Sequence, residues 1–227
     1  MKIIDAHTHI DYIAPDVDGA VCCACTESDW QKIIYLMKND KRVYGAFGVH
    51  PWFIDSVQDG FDNRLEKLLL SNSNYMVGEI GLDKYKPDME KQIEVFMKQF
   101  DIAINLKRSV SLHCVGAWDK ILHILKQYKQ IYLPKIVVHN FNENDAILKQ
   151  LLKYENIFFS LSKNAVYDRN NRIEQIPLNR ILIETDGKPE FSLRDVLMKL
   201  VQIKKDKTVP EIIYTNTIGV LKYGQIT

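Results

Sequence analysis

Ile3-Ile4-Asp5-Ala6-His7-Thr8-His9 reads as a β-strand that finishes in two histidines. Successive side chains on a strand point to opposite faces, so His7 and His9, two residues apart, leave it on the same side. The same kind of ending recurs along the 227 residues: Gly48-Val49-His50-Pro51, Val77-Gly78-Glu79-Ile80-Gly81, Ser111-Leu112-His113, Val137-Val138-His139 and Ile183-Glu184-Thr185-Asp186. Imidazoles and carboxylates therefore gather where strands finish, which is what a divalent-metal site requires.

Working outward, β-branched or apolar runs near 2–6, 19–25, 43–48, 75–80, 109–114, 135–139, 157–161 and 180–184 alternate with helical patterns. The helical patterns cover Glu27–Asn39, 61–71, 88–107, 117–128, 142–154, a weak stretch at 169–176, then 192–205 and 210–221. Repeated β-then-α units with short connections imply a parallel sheet. Eight of them imply an α/β fold of the (β/α)8 TIM-barrel type, usually about 250 residues long, here compact with short loops. Such barrels carry their chemistry at the C-terminal ends of the strands, where the polar clusters fall. No internal repeat or linker interrupts residues 1–227, which read as one domain.

Parity places Ile3, Asp5, His7 and His9 on one face of the first strand. It does the same for Val137 and His139 on the sixth, and for Leu182, Glu184 and Asp186 on the eighth. His7, His9, Glu79, His113, His139 and Asp186 then supply four imidazoles and two carboxylates. One catalytic zinc usually takes three protein ligands. The larger set suits two divalent ions roughly 3.5–4 Å apart, with Glu79 as the shared carboxylate. Asp186 and Glu79 are the expected catalytic carboxylates, Asp186 orienting or deprotonating the attacking water. His50 has three readings: substrate contact, donor behind a metal ligand, or turn residue before Pro51. Asp5 has two: support for an imidazole, or a buried carboxylate bonded to backbone. Asp83 reads as a support of the same kind.

The chain is 46% hydrophobic with a net charge of +1. That balance argues against a broad phosphate-binding surface, which is usually strongly basic, and favours recognition of a strand end. No apolar run reaches about 18 residues, so no membrane span is expected, and the N-terminal residues lack a secretion pattern. Cys22, Cys23, Cys25 and Cys114 read as structural thiols, which fits a cytoplasmic location.

Taken together, Asp5-Ala6-His7-Thr8-His9, Gly48-Val49-His50-Pro51, Gly78-Glu79-Ile80-Gly81-Leu82-Asp83, His113, His139 and Glu184-Thr185-Asp186 resemble the TatD family of metal-dependent nucleases, within the amidohydrolase-like superfamily. The resemblance implies a TIM barrel and a DNA hydrolase, often acting from a 3′ end. It also implies His7, His9, Glu79, His113, His139 and Asp186 as metal ligands and often magnesium activation, whereas the imidazole-rich set itself favours zinc, manganese, cobalt or iron. The chain departs from the family pattern at Val115, where an arginine is usual, and at Trp52, where a second histidine is common. It departs again at Asn140 to Glu143, where a glycine is lost, and at Gly187-Lys188, which displace the family's proline to Pro189.

The expected activity is cleavage of DNA phosphodiester bonds at strand ends. His50, Trp52, Lys84 and Tyr85 are the expected substrate contacts. Phe53 and Phe141 are further aromatic residues available for stacking on bases. Lys163, Lys188 and Arg169 are further cations for phosphate. Two rivals stand beside this reading. One is a metal-dependent hydrolase of a small ester, amide or phosphoester on the same barrel. The other is an accessory subunit that binds protein partners in a larger repair or defence system.

Overall fold

A computed structural model of the chain describes residues 1–168 and 172–225. The strands are β1 (Ile4–Thr8), β2 (Gly19–Cys23), β3 (Val43–Phe47), β4 (Met76–Asp83), β5 (Val110–Val115), β6 (Ile136–Val138), β7 (Ile157–Leu161) and β8 (Ile181–Ile183), all parallel and side by side in sequence order. Helices α1 (Glu27–Asn39), α2 (Phe61–Leu70), α3 (Met89–Asn105), α4 (Trp118–Leu125), α5 (Asp145–Leu151), α6 (Lys163–Tyr167), α7 (Arg172–Gln175), α8 (Leu193–Lys204) and α9 (Val209–Leu221) complete the barrel. Of the 169–176 pattern, Arg172–Gln175 is helical, while residues 169–171, Arg169 included, lie outside the described residues. Among the described residues no helix is long and apolar enough to cross a membrane.

Local chemistry starts the helices where they are needed. Thr26 and Asp29 form a capping box at the start of α1, and the Asn144 side chain accepts from Ala146 N and Ile147 N at the start of α5. Apolar side chains divide into two layers. An inner one gathers Ile4, Ala6, Val21, Cys23, Ala46, Met76, Val137, Phe158 and Leu182; an outer one packs strands against helices. Ser109 Oγ and Lys135 Nζ, at the starts of β5 and β6, donate to Val220 O and Gly219 O at 2.7 and 2.9 Å, seating the end of α9 against the strand bases.

Two irregularities decide which side chains reach the upper rim. Ile4 and Asp5 pair with Gly19 and Ala20, but Thr8 pairs with Cys22, so β1 carries an extra residue between them. The parity expectation for β1 is corrected accordingly. Ile3 packs in the outer layer, Ile4 and Ala6 in the inner one, and the bulge returns His7 to the inside. On β4 the register shifts between Val77 and Ile80, both in the outer layer, leaving room for Glu79 to turn inward. The glycines beside it are dictated by contact. A Cβ on Gly78 (φ 157°) would lie 2.8 Å from Ser111 Cβ, and one on Gly81 (φ 155°) would lie 1.8 Å from His113 O.

The barrel closes between β8 and β1 partly through a side chain. Asp186 N donates to His7 O at 3.0 Å, and Asp5 accepts from Thr185 N at 3.0 Å and Thr185 Oγ1 at 2.6 Å. Asp5 also accepts from His7 N, so it is the backbone-bonded carboxylate of its two readings. Complete burial pushes its pKa up to about 7, against the lowering effect of the Thr185 bonds. That value stands above the unfolded one of about 3.9. Stability from this group is therefore full below about pH 4 and declines as the pH climbs to about 7. Asp5→Asn keeps one acceptor oxygen for His7 N and Thr185 N, turns its NH2 to Thr185 Oγ1 and removes the titration. The stability difference between variant and wild type, from urea unfolding of metal-free protein, should move in the variant's favour by up to about 4 kcal/mol between pH 4 and pH 8.

Candidate metal centre

Glu79 is the centre of the rim and is 1% exposed. Its two oxygens look in different directions. Oε2 lies 3.3 Å from His7 Nε2 and 3.6 Å from His9 Nε2, while Asp186 Oδ1 lies 3.9 and 3.6 Å from the same two nitrogens. Oε1 lies 2.9 Å from both His113 Nδ1 and His139 Nε2. The facing nitrogens are 3.4 Å apart in the first set (His7, His9) and 3.1 Å apart in the second (His113, His139). Donors held 2.0–2.1 Å from a tetrahedral ion are about 3.3 Å from one another. The first set, at 3.3–3.9 Å, and the second, at 2.9–3.1 Å, lie on either side of that spacing, so the donors fit divalent-metal binding.

The remote nitrogen of each ring has a polar neighbour, hydrogen-bonded for His7 and His9, which fixes the orientation of those two rings. His7 Nδ1 meets Ser111 Oγ at 2.9 Å, and His9 Nδ1 faces Cys23 O at 3.3 Å. A proton on His9 Nδ1, donated to that carbonyl, leaves Nε2 unprotonated toward Glu79 and Asp186. His113 Nε2 faces Asp83 Oδ2 at 3.5 Å and His139 Nδ1 faces Glu184 Oε1 at 3.4 Å, ion-pair contacts just beyond hydrogen-bond geometry. His50 differs. Its Nδ1 accepts from Trp52 N at 3.1 Å, so a neutral ring carries its proton on Nε2, 3.1 Å from Glu79 Oε1.

Charge in the cluster is strongly coupled. Burial raises Glu79, but His139, His50, His7 and the His113 bond outweigh it and hold the carboxyl well below its usual range. Burial lowers His139, but the Glu79 and Glu184 carboxylates carry it well above an ordinary imidazole. His9 follows the same pattern through Asp186, Cys25 and Glu79, up to about 11. Asp186 is held far below the carboxylate range against its own desolvation, chiefly by His9 and His7. Metal-free, His9 and His139 hold protons in place of cations, whereas burial lowers the pKa of His7 and of His50.

A family model described as TatD related DNase matches residues 4–218. The chain belongs to the TatD-related DNase family. It is 32% identical over 188 residues to the human 3'-5' RNA nuclease TATDN2, covering 78% of this chain and 24% of that protein. It is 30% identical over 159 residues to the 3'-5' ssDNA/RNA exonuclease TatD of Erwinia billingiae (strain Eb661), covering 67% of this chain and 60% of that protein. The chain thus spans less than two thirds of either relative's length. The crystal structure of the TatD homologue YjjV from Escherichia coli K12 superposes with a TM-score of 0.84 at 22% identity, covering 96% of this chain and 97% of that one. That likeness bears out the TIM-barrel expectation.

Against this TatD-type frame, the rim brings His7, His9, Glu79, His113, His139 and Asp186 together. His50, buried against Glu79 at 5% exposure, has both ring nitrogens engaged. Trp52 is half exposed, with its ring 6.4 Å from that of His113. Its Nε1 donates to Asp83 Oδ2 at 2.6 Å, and Lys86 Nζ lies 4.1 Å from the indole. Tyr85 is 78% exposed beside it, and Lys84 is exposed on the same loop. Phe53 is also exposed, whereas Phe141 is 4% exposed and packs edge-on against Phe159. The expectation that Phe141 meets a base is corrected: it is core. Cys22 and Cys23 are buried as expected, but Cys25 is only partly so, with its Sγ 3.7 Å from His9 Nδ1.

Two supports escaped sequence reasoning. Gln99 on α3 exchanges bonds with Val49 N (2.7 Å) and Val49 O (3.2 Å), and Gln92, two turns earlier, does the same with Asp83 N (2.8 Å) and Asp83 O (3.1 Å). They hold the loops that carry His50 and Trp52, and Lys84 and Tyr85. Their signal was available: two amides seven apart on a helix face otherwise lined by Val95, Phe96, Ile102 and Ala103. Asp83→Asn removes the charge behind His113. Its expected effect is a 10- to 100-fold loss of metal affinity, read by titration of the metal-free protein against a fluorescent chelator.

Proposed function

We propose that the chain is a divalent-metal-dependent nuclease that cleaves phosphodiester bonds at single-stranded DNA or RNA ends, from the 3′ side. The observation that carries this reading is the division of Glu79, whose Oε2 faces His7 and His9 and whose Oε1 faces His113, His139 and His50, the His7 and His139 rings stacking 4.1 Å apart. His7, His9, Asp186 and Glu79 would hold one ion, and His113, His139 and Glu79 would hold the other. Such ions polarise phosphoryl oxygens and make water a competent nucleophile near neutral pH.

The protein's part is positional and acid–base. Asp186 turns Oδ1 to the imidazoles, and its Oδ2, which accepts from Lys188 Nζ at 2.8 Å and Asn140 Nδ2 at 3.4 Å, is the oxygen that would orient the attacking water. Its depressed pKa keeps it ionised for that task. His50 donates to Glu79 Oε1 and keeps that carboxylate turned between the His7/His9 and His113/His139 sides. The exposed Trp52 and Tyr85 offer ring faces to terminal bases, with Lys84 beside them for phosphate. The near-neutral net charge of +1 supports grip on a strand end over grip along a duplex. The names of the TATDN2 and Erwinia relatives support the 3′ polarity.

The test is metal add-back to stripped protein with zinc, manganese or magnesium, assayed on end-labelled single-stranded DNA and RNA and on a panel of simple esters and amides. The expected result is metal-restored shortening of 3′ ends. Restored ester or amide hydrolysis without nucleic-acid cleavage overturns the nuclease reading in favour of a small-substrate hydrolase.

A further inference from the structure

We propose that Lys188 is a phosphate-contacting residue of this site, an inference that rests on the phosphodiesterase reading. β8 ends at Ile183, and two consecutive left-handed residues, Asp186 (φ 55°) and Gly187 (φ 68°), turn the chain sharply back. Lys188 N donates to Thr185 O at 3.2 Å, and Gly187 N to Thr185 Oγ1 at 3.2 Å, so Thr185 anchors the turn. The turn lays the Lys188 side chain over Asp186 Oδ2, with Nζ at 2.8 Å, an oxygen that also accepts from Asn140 Nδ2 at 3.4 Å. The other oxygen, Oδ1, faces His7 and His9.

Among the described residues, Lys188 is the only lysine or arginine in ion-pair contact with any of the six candidate ligands. Its side chain is 40% exposed, so it stands at the mouth of the site and not in its floor. Partly exposed ion pairs of this kind are weak and screened by water. A phosphate oxygen arriving beside Asp186 can therefore take the ammonium over at little cost. A flexible stem with three rotatable donors suits that exchange. Phe191 provides a shelf: Lys188 Nζ lies 5.6 Å and Lys163 Nζ 5.9 Å from its ring centre, which concentrates positive charge on the β7–β8 side of the rim. Across the rim, β5 ends in the uncharged Val115.

Lys188→Met and Lys188→Arg test the inference in metal-loaded protein. The readouts are metal content, hydrolysis of bis(4-nitrophenyl) phosphate, and binding of inorganic phosphate by calorimetry. The expected result is unchanged metal content, a fall of about 100-fold in kcat/KM for the methionine variant with most of it restored by arginine, and phosphate affinity weakened at least about tenfold. A methionine variant that keeps kcat/KM and phosphate affinity within twofold of wild type overturns the inference. So does one that loses metal in step with activity, because Lys188 then acts only through Asp186. If wild-type protein binds phosphate through Lys188 but hydrolyses no phosphodiester, the nuclease reading fails while this inference stands. If it does neither, both fail.

Discussion

Glu79→Gln should yield a folded barrel that binds no metal and cleaves at least about 10⁴-fold more slowly than wild type. Glu79 is fully enclosed, and its oxygens sit 2.9–3.6 Å from the facing nitrogens of His7, His9, His113 and His139. Glutamine is nearly isosteric, so packing survives. It carries one acceptor in place of two and no charge. Whichever way the amide turns, its NH2 points at one imidazole set, and both ends lose the anion that offsets a dication. Elemental analysis should fall from two ions per chain to none, with the far-ultraviolet circular dichroism unchanged. A variant that retains two ions would show that Glu79 is not shared.

His7→Ala combined with His9→Ala should behave differently. The pair removes two nitrogens from one end of Glu79 and leaves His113 and His139 at the other. Metal content should fall from two to one, and cleavage by about 10³- to 10⁴-fold. His7 is fully buried among the strands, so its loss also leaves a cavity costing about 2–3 kcal/mol, visible as a lower unfolding midpoint. The contrast decides the number of sites. Equal metal loss in this double variant and in Glu79→Gln would mean a single centre that needs every ligand.

Much of this was legible in the sequence because its physics is local. Glu27–Asn39 announces itself through its capping box and spacing, and six of the eight strands through an apolar run that ends at a polar tip. The six candidate ligands are readable because barrel strands deliver their last inward residues to a common rim. What stayed hidden depends on register between strands. No alternation rule predicts the extra residue in β1 that turns Ile4 and His7 to one side, or the shift in β4 that brings Glu79 inward. Asp5 could not be resolved into ring support or backbone acceptor without Thr185, which lies 180 positions away in the chain. Phe141 looked available for stacking because it follows His139, yet Phe159 on the neighbouring strand claims it.

The amides of α3 carry a lesson for anyone re-engineering this barrel. Gln92 and Gln99 fasten two neighbouring loops to one rod, in phase with its pitch. Inserting or deleting a single residue between them rotates one amide by about 100° relative to the other. One loop would then come adrift whichever amide kept its seat. Grafted segments should therefore be better tolerated after β6 and β7 than after β3 and β4, and directed-evolution libraries should start there.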